Sequence, residues 1–108
     1  IPIYGDGKNI RDWLHVLDHC SAILLLLKNG EVGEIYNIAA QEERNNLEVV
    51  SSIFSILGIQ EKIHFVEDRA GHDWRYSLDD SKIRNLGWEP AVDFESGIKQ
   101  SVLHYGVI

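Results

Sequence analysis

The segment Ala22–Leu27 is apolar on every side, and it constrains the fold of this 108-residue chain more than any other feature. Asp18 is a good N-cap before it and Asn29-Gly30 a good stop after it, so the pattern predicts a helix from Asp18 to about Lys28. A helix without a polar face has to be covered by neighbours on several sides. We expect it to need more neighbours than this chain contains, and we therefore expect the isolated chain to be poorly stable.

The rest of the chain alternates between strand-like and helix-like segments. The predicted strands are Arg11–Val16, Glu34–Ala39, Ile63–Val66 and Arg75–Leu78, with a polar loop at Gln41–Asn45. The other predicted helices run from the cap Asn46 to Leu57, from the cap Asp80 to Leu86, and from the cap Asp93 with a buried stripe of Phe94, Ile98, Val102 and Tyr105. Strands that alternate with helices indicate an α/β fold. These strands are too few for a complete sheet, and the chain has no methionine, so we expect the C-terminal part of a larger α/β protein.

The composition of the chain limits its possible partners and indicates its cellular compartment. The formal net charge is −7, which disfavours nucleic acid and anionic membranes as partners. The longest apolar run is far shorter than the roughly 20 residues of a membrane-spanning helix, and there is no signal peptide. Cys20 is the only cysteine, which fits a reducing, cytoplasmic location, and we expect it to be a small buried side chain.

Two tracts crowd polar groups around glycines. The first tract in the chain is Tyr4–Trp13. The second tract, Asp68–Tyr76, holds two guanidinium groups, two carboxylates, an imidazole and a phenol around Gly71. Such density is typical of a loop that binds a ligand. An anionic ligand would need a local cationic pocket in this acidic chain, and Arg11, Arg69, His72 and Arg75 could supply it. Function therefore depends on whether the two tracts meet.

Each candidate residue also has a structural interpretation. Arg11 could be a surface charge or pair with Asp12, or its rigid fork could clamp an anion. Asn46 could simply cap its helix, or it could lie where a helix N-terminus favours a polar ligand group.

Arg69 and His72 flank Gly71, which lets the backbone bend or approach a ligand closely. Asp68 and Asp73 could orient them through charge-assisted hydrogen bonds, and a loop held by salt bridges alone is the alternative.

Other chemistries find little support. The spacing of His72, Asp73 and Asp68 matches no metal motif. The pair Gly5 and Gly7 lacks the preceding strand and the third glycine of a dinucleotide fingerprint. The only Tyr-x-x-x-Lys spacing, from Tyr4 to Lys8, lies in a glycine turn. The chain therefore offers binding chemistry and no acid–base machinery.

These residues resemble the C-terminal region of extended short-chain dehydrogenase/reductase enzymes that act on sugar nucleotides. The motifs that carry this likeness are Pro2–Gly7, Ile10–His19, Gly33–Ile38 and Leu86–Pro90. Within the superfamily, Asp68–Tyr76 and Glu43–Leu47 resemble the dTDP-glucose 4,6-dehydratases. Ala70 stands where that family commonly has proline, which should loosen the loop without removing a ligand-facing side chain.

The resemblance implies a Rossmann-type α/β fold, of which residues 1–108 are the C-terminal, nucleotide-sugar-binding portion with an incomplete sheet. The substrate-binding set that it implies is Pro2, Tyr4, Arg11, Asn46, Asp68, Arg69, Ala70, Gly71 and His72. In that set the two arginines hold the diphosphate of dTDP-glucose or a related nucleotide sugar, and Asn46 and His72 complete the phosphate and nucleoside contacts. Pro2 and Tyr4 line the base and ribose, and the backbone at Ala70–Gly71 closes over the ligand.

The resemblance also implies a reaction. NAD takes a hydride from C4 of the glucose ring, water is eliminated across C5 and C6, and the hydride returns at C6, which gives a 4-keto-6-deoxy sugar for the synthesis of rhamnose or another deoxysugar. The NAD-binding domain and the catalytic residues are expected upstream, so this chain alone is expected to be inactive, and the full enzyme to be a homodimer. A nucleotide-sugar epimerase or decarboxylase of the same superfamily and a non-catalytic binding module are the alternatives.

Overall fold

A computed structural model of the chain describes residues 1–106. Its four strands are β1 (Pro2–Tyr4), β2 (Ile10–Asp12), β3 (Glu43–Asn45) and β4 (His64–Val66). Its four helices are α1 (Val16–Asn29), α2 (Asn46–Leu57), α3 (Ser81–Arg84) and α4 (Phe94–Tyr105). The strands form two separate pairs, so the expected α/β class with an incomplete sheet is confirmed.

The strand pairs join segments that lie far apart in the chain. β1 and β4 are parallel, with Ile3 opposite Phe65, and β2 and β3 are antiparallel, with Arg11 opposite Arg44. An isolated parallel bridge links Ile10 to Arg75. The two polar tracts are therefore held side by side by backbone hydrogen bonds, which do not depend on side-chain identity.

The start of α2 differs by one residue from the sequence prediction. Asn45, not Asn46, is the N-cap: its side chain accepts from the N–H of Glu48 at 2.9 Å, and the Glu48 carboxylate accepts from the N–H of Asn45 at 2.7 Å. This reciprocal capping box satisfies two of the donors that a helix N-terminus leaves unpaired. Gly58 ends the helix in the left-handed region, at φ 64°, as predicted.

The predicted cap of α1 was wrong as well. His15 is the N-cap, and Asp18 lies inside the first turn with only 3% of its surface exposed. Its carboxylate accepts from the backbone N–H groups of Ala91 and Val92 at 2.9 and 3.0 Å. A good capping residue was therefore used for a long-range contact, which the local pattern could not reveal.

The core is small and lies between α1 and the segment around α3. Ala22, Ile83 and Trp88 are buried together, and Trp88 donates its indole N–H to the Ser21 hydroxyl at 2.9 Å. Leu25 and Leu26 of α1 are half-buried against this cluster, and the other apolar side chains of the helix are exposed: Val16, Leu17, Ile23, Leu24 and Leu27. Cys20 lies on this exposed face too, so the expectation that it is buried was wrong.

Two predicted strands are not formed. Glu34–Ala39 runs without a strand partner among residues 1–106, and Arg75–Leu78 is reduced to the single bridge at Arg75. The predicted polar loop before α2 instead contains β3, because its backbone pairs with β2.

The last two helices follow the predictions in part. Asp80 precedes α3, but its buried side chain accepts from Gln41 and Arg84 and makes no capping hydrogen bond. Asp93 caps α4 by accepting from the N–H of Ser96 at 2.8 Å. Phe94 and Val102 are buried as predicted, Ile98 is half-buried, and Tyr105 is exposed.

In the described part of the chain, none of the helices combines the length and the apolar character needed to cross a membrane.

Candidate functional site

The two polar tracts meet along a series of hydrogen bonds. The N–H of Gly5 donates to the carbonyl of Val66 at 3.0 Å, and that of Ile10 donates to the carbonyl of Trp74 at 2.8 Å. The Asn9 side chain is buried and donates to the carbonyl of Asp73 at 3.1 Å. The strand pairing therefore brings the cationic side chains of both tracts into one region.

Arg11 is held by backbone carbonyls and an aromatic ring. Its guanidinium donates to the carbonyls of Ile10 at 2.7 Å and Asp73 at 2.9 Å, and its Cζ lies 4.4 Å from the centre of the Tyr76 ring. The predicted alternative, a pair with Asp12, is not formed, because that carboxylate accepts from the N–H groups of Ala40 and Glu42. Arg11 thus keeps an uncompensated charge at the junction of the tracts.

Arg69 is placed in a similar way. Its Cζ lies 5.2 Å from the centre of the Tyr4 ring, and its side chain forms no salt bridge within residues 1–106. A guanidinium over an aromatic face is attracted to the ring without losing its charge. The alternative of a loop held only by salt bridges therefore does not describe Arg69.

Asp68 and His72 are joined by a hydrogen bond in the second tract. Nδ1 of His72 lies 2.6 Å from Oδ1 of Asp68, and the same oxygen accepts from the N–H of Arg69 at 2.8 Å. The His72 hydrogen bond is the main cause that lowers the pKa of the Asp68 carboxyl below its usual value, with burial opposing it. The His72 side chain is 5% exposed, so the predicted orienting role of Asp68 is realised in the structure. Gly71 bends the loop at φ 69°.

The other acidic groups near the arginines have partners of their own. Asp73 accepts a hydrogen bond from the Tyr76 hydroxyl and does not orient Arg69 or His72. Glu43 accepts two hydrogen bonds from Arg75, at 2.9 and 2.8 Å, and these lower the pKa of its carboxyl. Arg75 is therefore neutralised, and two of the four expected cations, Arg11 and Arg69, remain without a carboxylate.

Asn46, Pro2 and Tyr4 lie on a neighbouring cleft. They line a cavity of about 330 Å³ between β1, α2 and α4, together with apolar side chains such as Val49 and Ile98. Asn46 is the first residue of α2, where a helix N-terminus favours anionic or polar groups. Since Asn45 provides the cap, the Asn46 side chain is available for another contact. Ala70 is exposed on the tract beside Gly71.

β1 ends directly before Gly5, so the predicted absence of a preceding strand was wrong, but the glycines of the first tract do not form a dinucleotide site. A Cβ at Gly5 would lie 2.7 Å from Oδ2 of Asp68, and one at Gly7 would lie 2.7 Å from the Ile3 side chain and 2.8 Å from that of Leu47. These glycines allow close packing of side chains in the space that a dinucleotide would need. Gly5 and Gly7 therefore form no cradle for NAD. Residues 1–106 also hold no cluster of three His, Cys, Asp or Glu side chains that could bind a metal ion.

Two residues of the site were not selected from the sequence. Tyr76 was noted only as a phenol in the tract, and Glu43 only as part of a motif. The repeated occurrence of Arg and Tyr in the two tracts was the available signal for Tyr76, since arginine commonly stacks on aromatic rings. No local signal links Glu43 to Arg75, because each residue is brought to the site by a different pairing with β2. Glu43 lies on β3, which pairs with β2, and Arg75 forms the bridge to Ile10 of β2.

The chain has relatives among known proteins. A profile of the GDP-mannose 4,6 dehydratase family matches residues 1–101. The low-salt glycan biosynthesis protein Agl12 of Haloferax volcanii is 46% identical over 106 residues, and a dTDP-glucose 4,6-dehydratase of Actinoplanes sp. is 50% identical over 107 residues. Both alignments cover 97% of the chain but 34% and 33% of the relatives, so the chain spans about a third of their length.

Solved structures agree at the level of the fold. The dTDP-glucose 4,6-dehydratase of Bacillus anthracis in complex with NAD matches with a TM-score of 0.90 and 50% identity, over 97% of this chain and 34% of that one. The UDP-glucose 4-epimerase of Thermotoga maritima with UDP-glucose gives a TM-score of 0.91 and 30% identity, over 98% and 34%. The expected relation to extended short-chain dehydrogenases of Rossmann type is confirmed. With a family profile over almost its whole length and relatives at about half identity, the chain belongs to the GDP-mannose 4,6 dehydratase family, and it is similar to the dTDP-glucose 4,6-dehydratases that its motifs indicated.

Proposed function

We propose that the chain is the nucleotide-sugar-binding part of a dTDP-glucose 4,6-dehydratase, an NAD-dependent lyase that converts dTDP-glucose to dTDP-4-keto-6-deoxyglucose and water. One observation carries the proposal: Arg11 and Arg69 are brought to the same region while the nearby carboxylates are bound to other groups. Two fixed guanidinium groups suit a diphosphate, which offers several anionic oxygens. The 50% identity to a protein of that name, against 30% to the epimerase, supports the dehydratase.

In this proposal the predicted site residues take separate roles. Arg11 and Arg69 bind the diphosphate, and Asn46 and His72 complete the phosphate and nucleoside contacts, with His72 oriented by Asp68. The cleft lined by Pro2 and Tyr4 receives the base and ribose, and the backbone at Ala70 and Gly71 closes over the ligand.

The redox chemistry lies outside this site in the proposal. Residues 1–108 form the C-terminal, substrate-binding domain, and NAD and the acid–base groups belong to a separate N-terminal domain of the intact enzyme. The packing of Gly5 and Gly7 supports this division, since it leaves no dinucleotide cradle here. The enzyme would act as a cytoplasmic homodimer, and its product would supply the synthesis of a deoxysugar such as rhamnose.

Arg69→Ala in the intact protein tests the binding role. It should weaken binding of dTDP by about 1.5–3 kcal/mol, the typical effect of losing a hydrogen bond to a charged group. Calorimetry with dTDP measures this, and Lys28→Ala, which removes an exposed cation at the end of α1, should leave the affinity unchanged. Unchanged affinity in Arg69→Ala would show that Arg69 is only a loop residue, and an intact protein that does not turn over dTDP-glucose would contradict the dehydratase itself.

A further inference from the structure

Tyr76 is the last residue of its tract, contacts Arg11 of the other tract and has no role in the binding scheme above. Its ring centre is 4.4 Å from Cζ of Arg11, and its hydroxyl donates to the Asp73 carboxylate. Its backbone N–H donates to the carbonyl of Ile10 at 3.1 Å. The ring is therefore fixed at its hydroxyl and at its backbone, and it is fixed to the segment that carries Arg11.

The partners of Arg11 are of an unusual kind for a charged side chain. Its hydrogen bonds go to the backbone carbonyls of Ile10 and Asp73. The nearest carboxylate in sequence, Asp12, is bonded to backbone N–H groups, and that of Asp73 is bonded to Tyr76. A carboxylate partner would hold Arg11 but would also cancel the charge that an anionic ligand needs, whereas a ring holds it by a cation–π contact and leaves the charge in place.

We propose that Tyr76 is a positioning residue: its ring, fixed by Asp73, holds the Arg11 guanidinium in place to receive the substrate's diphosphate. This inference rests on the proposed function, and it assigns a role to a residue outside the predicted site. The positive charges of Arg11 and Arg69 both act on the Tyr76 phenol and oppose the rise of its pKa, whose main cause is the Asp73 hydrogen bond.

The two arginine–tyrosine pairs are not equivalent. The Tyr4 ring lies 5.2 Å from Arg69, and its hydroxyl forms no hydrogen bond with the rest of residues 1–106. Tyr4 also lines the cleft assigned to the base and ribose, so it already has a role in the binding scheme. Tyr76 is the ring that is fixed before the ligand arrives, and fixing a binding group in advance reduces the entropy lost on binding.

The test is a double-mutant cycle in the intact protein, with dTDP and thymidine as the probes and calorimetry as the measurement. Tyr76→Leu removes the ring, Tyr76→Phe keeps it but removes the hydroxyl, and Arg11→Ala removes the guanidinium. Tyr105→Leu is the matched control, because it makes the same change on the exposed face of α4. We expect Tyr76→Leu to weaken dTDP binding about ten-fold, within the range of partly desolvated cation–π contacts, and Tyr105→Leu to have no effect.

The cycle separates positioning from a general structural role. If Tyr76 acts through Arg11, Tyr76→Leu in the Arg11→Ala background should cost less than about two-fold more, because the two losses are not additive for coupled residues. The affinity for thymidine, which has no phosphate, should not change. Additive losses, or an equal loss of thymidine affinity, would overturn the inference while leaving the proposed function intact.

The remaining outcomes of the experiment also support or overturn the role of Tyr76. If Tyr76→Leu does not fold, Tyr76→Phe decides in its place: a loss of dTDP affinity that is absent in the Arg11→Ala background supports a ring fixed by Asp73 as the support for Arg11, and no loss, or a loss that persists in that background, overturns it. A wild-type protein that binds no dTDP overturns the proposed function, and the role of Tyr76 with it.

Discussion

Asp18→Ala should destabilise the fold more than a helix-cap substitution does. The Asp18 carboxylate is almost fully buried and accepts from the N–H groups of Ala91 and Val92, so it joins α1 to the segment before α4. Hydrogen bonds to charged groups contribute about 1.5–3 kcal/mol each. Ala91 is exposed, and water can replace its lost bond, so we take the lower figure and expect a loss of about 3 kcal/mol for the two.

Hydrogen exchange measured by mass spectrometry on the intact protein is a suitable assay because it reports the segment locally. If this segment opens before it exchanges, a loss of about 3 kcal/mol should speed exchange at Val92 by about two orders of magnitude. Asp18→Asn keeps one acceptor oxygen and should fall between wild type and alanine. Asp93→Ala, a true N-cap substitution, is the control and should affect α4 with a smaller loss. If Asp18→Ala cost no more than Asp93→Ala and left Val92 protected, the carboxylate would not be what joins the two segments.

Three further changes have defined outcomes. Asn45→Ala should destabilise α2 by about 1 kcal/mol, as loss of an N-cap does, whereas Asn46→Ala should leave thermal unfolding unchanged and weaken dTDP binding. Gly5→Ala should weaken dTDP binding measured by calorimetry, since its φ is 59° and the new methyl group would displace the Asp68 carboxylate that orients His72. The hydrogen bond from the N–H of Ser96 lowers the pKa of the Asp93 carboxyl below its ordinary 3.8. The stability that ionised Asp93 contributes is therefore present above that value and is lost as the pH falls through the folded pKa. Acid unfolding monitored by circular dichroism should lose this part of its pH dependence in Asp93→Ala.

Local sequence signals predicted where the helices lie better than they predicted the residue at which each helix begins. The apolar stripe and Gly58 placed α2 correctly, but the predicted cap, Asn46, was wrong, because Glu48 completes a capping box with the adjacent Asn45. Asp18 was misassigned because its partners lie in a segment distant in sequence. A pattern read over a few residues contains no information about such partners.

The strand predictions show the same limitation of local sequence patterns. Glu34–Ala39 has strand-like composition, yet a strand exists only when another backbone pairs with it, and none does among residues 1–106. Glu43–Asn45 was predicted as a loop because it is polar, but β2 supplies its hydrogen bonds. The crowded polar tract could be recognised from its residue types alone. Which of its charged side chains form salt bridges and which do not depends on contacts between segments that are distant in the sequence.

The parallel pairing of β1 and β4 has a consequence for folding. β1 pairs with β4, with Pro2 opposite His64 although the two are far apart in the sequence, and β1 leads into the tract that carries Arg11. Closing so long a loop costs entropy that helices such as α1 and α2 do not have to overcome, because their hydrogen bonds are local. The region in which the two tracts meet is therefore completed late, after synthesis has passed Tyr76 and both helices have had time to form. Until then Arg11 has neither the Tyr76 ring nor the Asp73 carbonyl to hold it.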